Sequence, residues 1–371
     1  MKRIMTVLLT VILILGMTGC SAVFMNTYHS EREFQGNEKI ALDSNVQVVQ
    51  NYNALRRLVF NMVNNHIESE ELVFSGYTGN VVSDVASVCN AVKTESSYGA
   101  YCVEYISYDL RQIVSSYEAV ITISYLYTPE ELQMMRTISD MDGFGALLVQ
   151  ALREEQPKLV VRVNNGVSDK AAVEDFMRHT VRNDPMAISY TPEMSVKVFD
   201  GNTSQKIYDV SIKYNEERDN EKRLKDMAFV LKTAADGLKQ ERPDKTVLSA
   251  AEYLRDHCAY VTDGACTAYD ALVAGSADSQ GIACGFKALC DALGIECMVV
   301  SGRMDKQDHY WNIVKVHEDY YHMDATLFAE RGGESTLFLR DADKQADCWW
   351  NQSDYPDCEG ALTYTLVAVS E

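Results

Sequence analysis

Three residues in the last third of the sequence, Ser279, His309 and Asp324, have side chains that together can carry out covalent catalysis. A hydroxyl at the start of a helix gains from the helix dipole and from free backbone N–H groups that can hold an oxyanion. An imidazole can remove the hydroxyl proton, and a carboxylate fixes the imidazole tautomer and stabilises its protonated form. These residue types therefore predict acyl transfer or amide hydrolysis, provided that the fold brings them together.

Hydrophobic periodicity predicts the elements that must position these residues. After Ser279, an apolar residue recurs at helical spacing from Ile282 to Leu293, and Gly294 follows where a C-cap glycine belongs. Three strand patterns come next, the last two as a hairpin: 295–302, 309–316 and 319–326. An ideal hairpin with this turn sets residue 312 or 313 opposite Asp324, so a contact between His309 and Asp324 requires a bulge or side-chain reach.

Each candidate also has a structural interpretation. Ser279 can serve as the N-cap of its helix, which contributes about 1 kcal/mol. Cys284, five residues later, is another candidate nucleophile, but its position is more typical of a core thiol. His309 can be a buried strand histidine. His309, His317, His322 and Asp324 have metal-binding side chains, but their spacing matches no familiar site, so we expect neither a metal nor another cofactor.

Four short motifs resemble those of the transglutaminase-like superfamily, which has a papain-like core with a Cys-His-Asp triad. They are AYDALVAGSADSQG, LGIECMVVSG, HYWNIV and DAT, and with the tail FLRDADKQADCWWNQSDYPDC the resemblance covers about residues 218–360. It implies that His309 and Asp324 are the histidine and aspartate of the triad and that Ser279 stands at the cysteine position. It also implies binding roles for the neighbouring residues Gln280, Trp311 and Asn312. Trp349 and Trp350 either line a groove for peptide or sugar or close the core.

The region before this domain contains one pattern twice. LVFSG and KLVVRVNN each precede a Val-Ser-Asp sequence (82–84 and 167–169) that we expect to cap a helix, and two strand patterns rich in tyrosine follow, YCVEYISYDL and EAVITISYLY in the first case and MAISYTPEM and KIYDVSIKYN in the second. We therefore predict an α+β protein with two βαββ units over residues 46–217, the first helix falling within 46–68, and a transglutaminase-like domain over residues 218–371.

The N-terminus has the features of an export signal. Lys2 and Arg3 precede an apolar run that ends at Gly19-Cys20, and Met17-Thr18-Gly19-Cys20 resembles the lipobox of bacterial lipoproteins. We expect a signal peptide over residues 1–19, a lipid on Cys20 that anchors the protein to the cell membrane outside the cytoplasm, and a tether over residues 20–45. An ordinary secretory signal is the alternative.

The net charge limits the possible binding partners of the protein, and the number and spacing of cysteines bear on disulfide formation. The net charge of −20 becomes −22 without Lys2 and Arg3, and such a surface repels nucleic acid. Nine of ten cysteines remain once Cys20 carries a lipid. An exported protein can form disulfides, and local spacing favours Cys89–Cys102, Cys258–Cys266 and Cys348–Cys358, whereas the sequence predicts that Cys284, Cys290 and Cys297 are buried as small hydrophobic residues.

These observations lead to a functional prediction with two alternatives. The prediction is a catalytically silent domain that binds a peptide or a glycan-linked peptide at the cell envelope. The first alternative is an active acyl transferase or amide hydrolase that uses Ser279, His309 and Asp324. The second is a structural lipoprotein whose partner surface is the N-terminal region.

Overall fold

The computed structural model describes residues 47–215, 217 and 219–369. The predicted signal peptide, Cys20 and the tether lie outside these residues. The chain divides into two compact units, one with residues up to 94 and 102–129, the other with residues 95–101 and those from 130 onwards. This division lies earlier than the predicted boundary between residues 217 and 218, because the second βαββ unit packs with the C-terminal domain.

The first unit is a four-stranded sheet with two helices. Its strands are β1 (Gln47–Val48), β2 (Ser69–Phe74), β3 (Val103–Ile113) and β4 (Ser116–Tyr125), and its helices are α1 (Tyr52–Asn64) and α2 (Val81–Thr94). The strand order is β1-β2-β4-β3. A short helix, α3 (Ser97–Cys102), precedes β3. The predicted first helix is present, and the Asn51 side chain caps it by accepting a hydrogen bond from the Ala54 N–H at 2.9 Å.

The second four-stranded sheet has the same connectivity as the first. Helix α4 (Pro129–Gln133) leads into β5 (Arg136–Ile138), α5 (Met141–Arg153), β6 (Lys158–Val163), α6 (Lys170–Asn183), β7 (Glu193–Phe199) and β8 (Lys206–Lys213). The strand order is β5-β6-β8-β7. Two copies of one βαββ connectivity are therefore present, each preceded by a short parallel strand and a helix. Asp169 caps α6 as its sequence predicts, but α2 begins at Val81, ahead of the predicted Val-Ser-Asp cap.

A tyrosine makes the same contact in both copies. The Tyr125 hydroxyl lies 3.1 Å from the carbonyl oxygens of Met62, in the last turn of α1, and Ile67, just past its end. The Tyr214 hydroxyl lies 3.1 and 2.9 Å from the carbonyl oxygens of Ala151, in the last turn of α5, and Gln156, past its end. The Met62 and Ala151 carbonyls also accept the N–H groups of Ile67 and Gln156 at 2.8 Å, so each tyrosine adds a donor at a closed helix end and ties the helix to the sheet.

The C-terminal domain is an antiparallel sheet packed on helices. Helices α7 (Asn220–Leu238) and α8 (Pro243–His257) precede the short parallel pair β9 (Ala259–Tyr260) and β10 (Ser276–Ala277), and the buried helix α9 (Ser279–Leu293) follows. The sheet has the order β14-β13-β12-β11-β15. Its strands are β11 (Cys297–Met304), β12 (Gln307–Val316), β13 (Asp319–Met323), β14 (Leu337–Leu339) and β15 (Cys348–Trp350), with helices α10 (Ala325–Arg331), α11 (Asp341–Lys344) and α12 (Tyr364–Val369).

The two faces of this sheet have separate cores. The larger core includes Phe286 of α9, Val299 of β11 and Val314 of β12. Trp311 and Trp350 pack edge to face in the smaller core on the other face, with ring centroids 5.6 Å apart. The predicted apolar face of α9 is therefore confirmed, and Gly294 ends the helix in the left-handed conformation at φ 75°.

The predicted disulfides are wrong. None of the nine cysteines among the described residues is disulfide-bonded, and seven of them are buried: Cys89, Cys102, Cys284, Cys290, Cys297, Cys348 and Cys358. Burial raises the pKa of the Cys89 thiol to about 12, so it is a poor thiolate. These side chains serve as small apolar groups in the cores, which confirms the prediction for Cys284, Cys290 and Cys297. Within the described part of the chain, no helix has both the length and the apolar character needed to cross a bilayer.

Candidate functional site

Ser279 is the first residue of α9 and is not its N-cap, so the predicted capping role is wrong. Asp278 is the cap, because its carboxylate accepts a hydrogen bond from the Gly281 N–H at 2.8 Å. Burial raises the pKa of the Asp278 carboxyl. The Ser279 side chain is buried, and no residue described by the structure forms a hydrogen bond with its hydroxyl. The helix therefore starts with a carboxylate at its positive end and a serine hydroxyl that is left without a protein partner.

His309 and Asp324 form a buried pair. His309 Nε2 lies 2.7 Å from Asp324 Oδ2, and the aspartate is fully buried. Met323 is paired with Asn312 in the hairpin, so Asp324 lies just beyond the paired residues. There the chain turns into α10, which Asp324 caps by accepting the Leu327 N–H at 3.2 Å. This departure from the strand provides the reach that an ideal hairpin lacks.

Lys344 completes this cluster and was missed by the sequence analysis. Its ammonium Nζ lies 2.6 Å from Asp324 Oδ2 and 4.6 Å from the centre of the Trp311 ring, and its side chain is buried. Burial alone would raise the pKa of Asp324, but Lys344 and His309 outweigh it and hold that pKa well below its usual range. The only sequence signal is a lysine within the acidic segment RDADKQAD, which is equally typical of an exposed helix.

The three residues predicted to bind ligand make contacts within the protein. Gln280 Nε2 donates to the Cys266 carbonyl at 3.2 Å, and Asn312 Nδ2 donates to the Ala283 carbonyl at 2.9 Å. Trp311 Nε1 donates to His322 Nδ1 at 2.9 Å. Trp311 and Asn312 are buried, and these contacts position β12 against its neighbours.

A second histidine–aspartate pair lies beside the first. His322 Nε2 is 2.8 Å from Asp341 Oδ1, and Asp341 Oδ2 accepts the Cys358 N–H at 2.9 Å. Burial lowers the pKa of His322 to about 4, although Asp341 opposes the shift. His322 Nδ1 accepts the Trp311 N–H, so the neutral ring carries its proton on Nε2 and donates it to Asp341.

The tautomer of His322 limits metal binding at this second pair. His322, Asp341 and Cys358 have ligand atoms within 4.8 Å of one another, but His322 has no lone pair free for a metal. The four residues weighed from the sequence do not form one site either, because His317 is exposed in the β12–β13 turn whereas His309, His322 and Asp324 are buried.

The two tryptophans of β15 have different environments. Trp350 is buried in the smaller core, whereas the Trp349 side chain is 67% exposed. Trp349 lies at the rim of a cleft of about 840 Å³ between α6 and the strands β11 and β12. Of the two interpretations made from the sequence, core closure therefore holds for Trp350 and groove lining holds for Trp349.

Comparison with known proteins identifies the domain that carries this site. Residues 232–325 match the family model of the transglutaminase-like superfamily, and the match includes Ser279, His309 and Asp324. Residues 232–325 therefore belong to a transglutaminase-like domain, and the α+β fold class predicted from the sequence is confirmed. The search of curated proteins found no match.

Several solved structures are similar to parts of the chain. A protein assigned provisionally as a cysteine protease, from Cytophaga hutchinsonii, is 14% identical over 38% of this chain and 63% of its own, with a TM-score of 0.25. A TGase is 13% identical over 53% of this chain and 60% of its own, with a TM-score of 0.27. The periplasmic domain of TgpA from Pseudomonas aeruginosa is 17% identical over 36% and 59%, with a TM-score of 0.25. The chain thus spans about three fifths of the length of each of these structures.

Proposed function

We propose that the protein is a lipid-anchored, extracytoplasmic binding protein whose transglutaminase-like domain is catalytically silent and holds a peptide or a glycan-linked peptide at the cell envelope. The observation that carries this proposal is the contact between Lys344 and Asp324. A domain that has lost covalent catalysis can still bind a ligand through its folded surface, so binding is the function that we assign to it.

The charge of Lys344 opposes catalysis. In a triad, the aspartate stabilises the positive charge that the histidine gains when it takes the proton of the nucleophile. Here the ammonium of Lys344 lies 2.6 Å from the same oxygen, Asp324 Oδ2, that contacts His309. Much of the negative charge of Asp324 is therefore already compensated, and less remains for a protonated His309.

The start of α9 is also unfavourable for a nucleophile. A serine hydroxyl ionises far less readily than a thiol, so Ser279 needs both a strong base and oxyanion donors. The Asp278 carboxylate instead occupies the first-turn Gly281 N–H and places a negative charge beside Ser279. Both effects raise the energy of an anionic intermediate.

An active serine enzyme is the second candidate. It is favoured by the 2.7 Å contact between His309 and Asp324 and by the Ser279 hydroxyl, which no described residue engages. In this case Ser279 would attack an acyl carbon, His309 would take its proton and return it to the leaving amine, and Asp324 would hold the ring.

A reactivity experiment on the purified full-length chain separates the two candidates. We expect that the wild type neither reacts with fluorophosphonates, nor incorporates amines into glutamine peptides, nor cleaves peptides. Ser279→Cys in a Cys284→Ala background should gain a thiol that alkylates faster than free cysteine, and His309→Ala should slow it. The Cys284→Ala chain is the matched control for the other thiols. Wild-type activity that disappears in Ser279→Ala would refute the silent site.

A further inference from the structure

The cleft between α6 and the sheet is a second candidate site, distinct from the His309–Asp324 pair. Phe176, His179 and Arg182 of α6 form one wall, and Ser301 of β11 and Tyr310 of β12 lie on the other. Side chains alternate between the faces of a strand, so Tyr310 faces the cleft while the neighbouring residue Trp311 packs in the core on the other face. All of the α6 residues lie outside the segment 232–325 that matches the family.

Arg182 is the arginine of this cleft that has no salt-bridge partner among the described residues. Its Nε is buried and has no hydrogen-bond partner among the described residues, and its guanidinium carbon lies 5.2 Å from the centre of the Tyr310 ring. The other two arginines of the cleft are paired, Arg178 with Asp175 and Arg303 with Asp308. Arg182 as a whole is half-buried, but its Nε–H is shielded from solvent and unpaired, which is costly, so a bound anion would satisfy this group.

The backbone around Arg182 is held in place. The Arg182 carbonyl accepts a hydrogen bond from Cys284 Sγ of α9 at 3.7 Å. The next residue, Asn183, accepts the Val299 N–H of β11 through Oδ1 at 2.9 Å. The end of α6 is thereby fixed to both the helix and the sheet of the transglutaminase-like domain, and little ordering of the backbone is required when a ligand binds.

The other charges limit the ligand to one negative group. Asp175 and Asp308 neutralise Arg178 and Arg303, and Asp354 also lines the cleft, so the cleft has no excess of positive charge to hold a polyanion such as a nucleic acid or a polyphosphate. Burial and the neighbouring Arg182 lower the pKa of His179, so this histidine is uncharged at neutral pH and adds no second cation. A guanidinium binds a carboxylate through two parallel hydrogen bonds, which suits a single carboxylate.

We infer that this cleft binds a peptide through one carboxylate, with Arg182 as its charge partner and the aromatic side chains of Tyr310, Tyr355 and Trp349 packing against the rest of the ligand. The choice of a peptide rests on the function proposed above. The carboxylate belongs either to the peptide C-terminus or to an acidic side chain, and both present the same chemistry to Arg182.

Fluorescence anisotropy with the full-length chain tests this inference and distinguishes the two sources. The probes are three fluorescein-labelled hexapeptide pools without other Asp or Glu residues: one with a free C-terminal carboxylate, one amidated, and one amidated with a single internal Glu. We expect one carboxylate pool to bind roughly ten- to a hundredfold more tightly than the neutral pool. The better pool identifies the source of the carboxylate.

Two substitutions test the role of Arg182 in that binding. Arg182→Gln should remove the preference for the carboxylate pool, and Arg182→Lys should restore part of it. Arg303→Gln is the matched control, because Arg303 lines the same cleft but already has Asp308 as a partner, and it should change the affinity less than about threefold. Far-UV circular dichroism checks that each variant is folded.

Other results would overturn the inference. They are equal binding of the three pools, an unchanged preference in a folded Arg182→Gln variant, tighter binding of pyrophosphate than of any peptide pool, or no binding at millimolar concentration. The comparison of the three pools needs no variant, so it tests the preference for a carboxylate even if Arg182→Gln does not fold. If Ser279 reacts with fluorophosphonate and carboxylate peptides still bind, only the proposal that the domain is catalytically silent is refuted. If the chain is unreactive and shows no preference for a carboxylate, only the assignment of carboxylate binding to the Arg182 cleft is refuted.

Discussion

Replacing Lys344 by Met should strongly destabilise the C-terminal domain at neutral pH. Lys344 and Asp324 are both buried and lie 2.6 Å apart, and methionine fills a similar volume without the charge. Removing one partner of a buried ion pair costs about 3–5 kcal/mol, because the other charge stays buried. This is a large fraction of the roughly 5–15 kcal/mol that stabilises a typical domain.

The loss should depend on pH in a defined direction. The pKa of Asp324 is lowered in the folded wild type, so its contribution to stability is fully present above the unfolded value of about 3.9 and is lost as the pH falls through the lowered pKa. Without Lys344, burial should raise that pKa. The difference in the free energy of unfolding between variant and wild type should therefore be largest at pH 7. It should decrease as the pH falls through the raised pKa of Asp324 in the variant. It should decrease further below about pH 4, where the wild type loses the contribution of its own Asp324.

Tryptophan fluorescence during urea unfolding measures this effect in the relevant domain. All three tryptophans of the chain, Trp311, Trp349 and Trp350, lie in the C-terminal sheet. Lys344→Met combined with Asp324→Asn should recover part of the loss, since neither charge then remains. Lys222→Met is the control, because the Lys222–Asp226 pair is exposed on α7 and should matter little. A Lys344→Met variant as stable as the wild type at pH 7 would refute the buried ion pair.

Two further predictions concern the N-terminus and the repeated units. Radiolabelled fatty acid should be incorporated into the wild type and not into Cys20→Ser, because the apolar run ends at Gly19-Cys20; label retained by the variant would contradict the lipid assignment. Tyr214→Phe should cost about 0.5–1.5 kcal/mol and speed amide exchange in residues 150–157, because the Gln156 carbonyl loses the hydroxyl and the Ala151 carbonyl keeps only the Gln156 N–H. Tyr105→Phe, at a side chain that is 56% exposed, should not change exchange there.

The repeated connectivity could be predicted from the sequence, since it depends on patterns within each segment. The Val-Ser-Asp sequences, the helix and the strands recur in the same order, and both sheets have the predicted βαββ order. The prediction was wrong for the tyrosine-rich segment MAISYTPEM, because β7 begins only at Glu193 and contains no tyrosine. The contacts of Tyr125 and Tyr214 could not be predicted, because each tyrosine reaches a helix end about 60 residues earlier in the chain, at separations of 58 and 63 residues. The pairing of cysteines by short spacing failed for a related reason, since spacing does not tell a buried thiol from a bridged one.

The sequence by itself determined the local elements of the site. The apolar face of α9, its glycine C-cap and the hairpin that turns at His317 all follow from the spacing of side chains within a few residues. The tertiary structure alone decided which charges meet. Lys344 reaches Asp324 from α11, and Arg182 of α6 comes to lie over Tyr310 of β12. The energy of a charge depends on what surrounds it when buried, and those surroundings are assembled by the packing of distant segments.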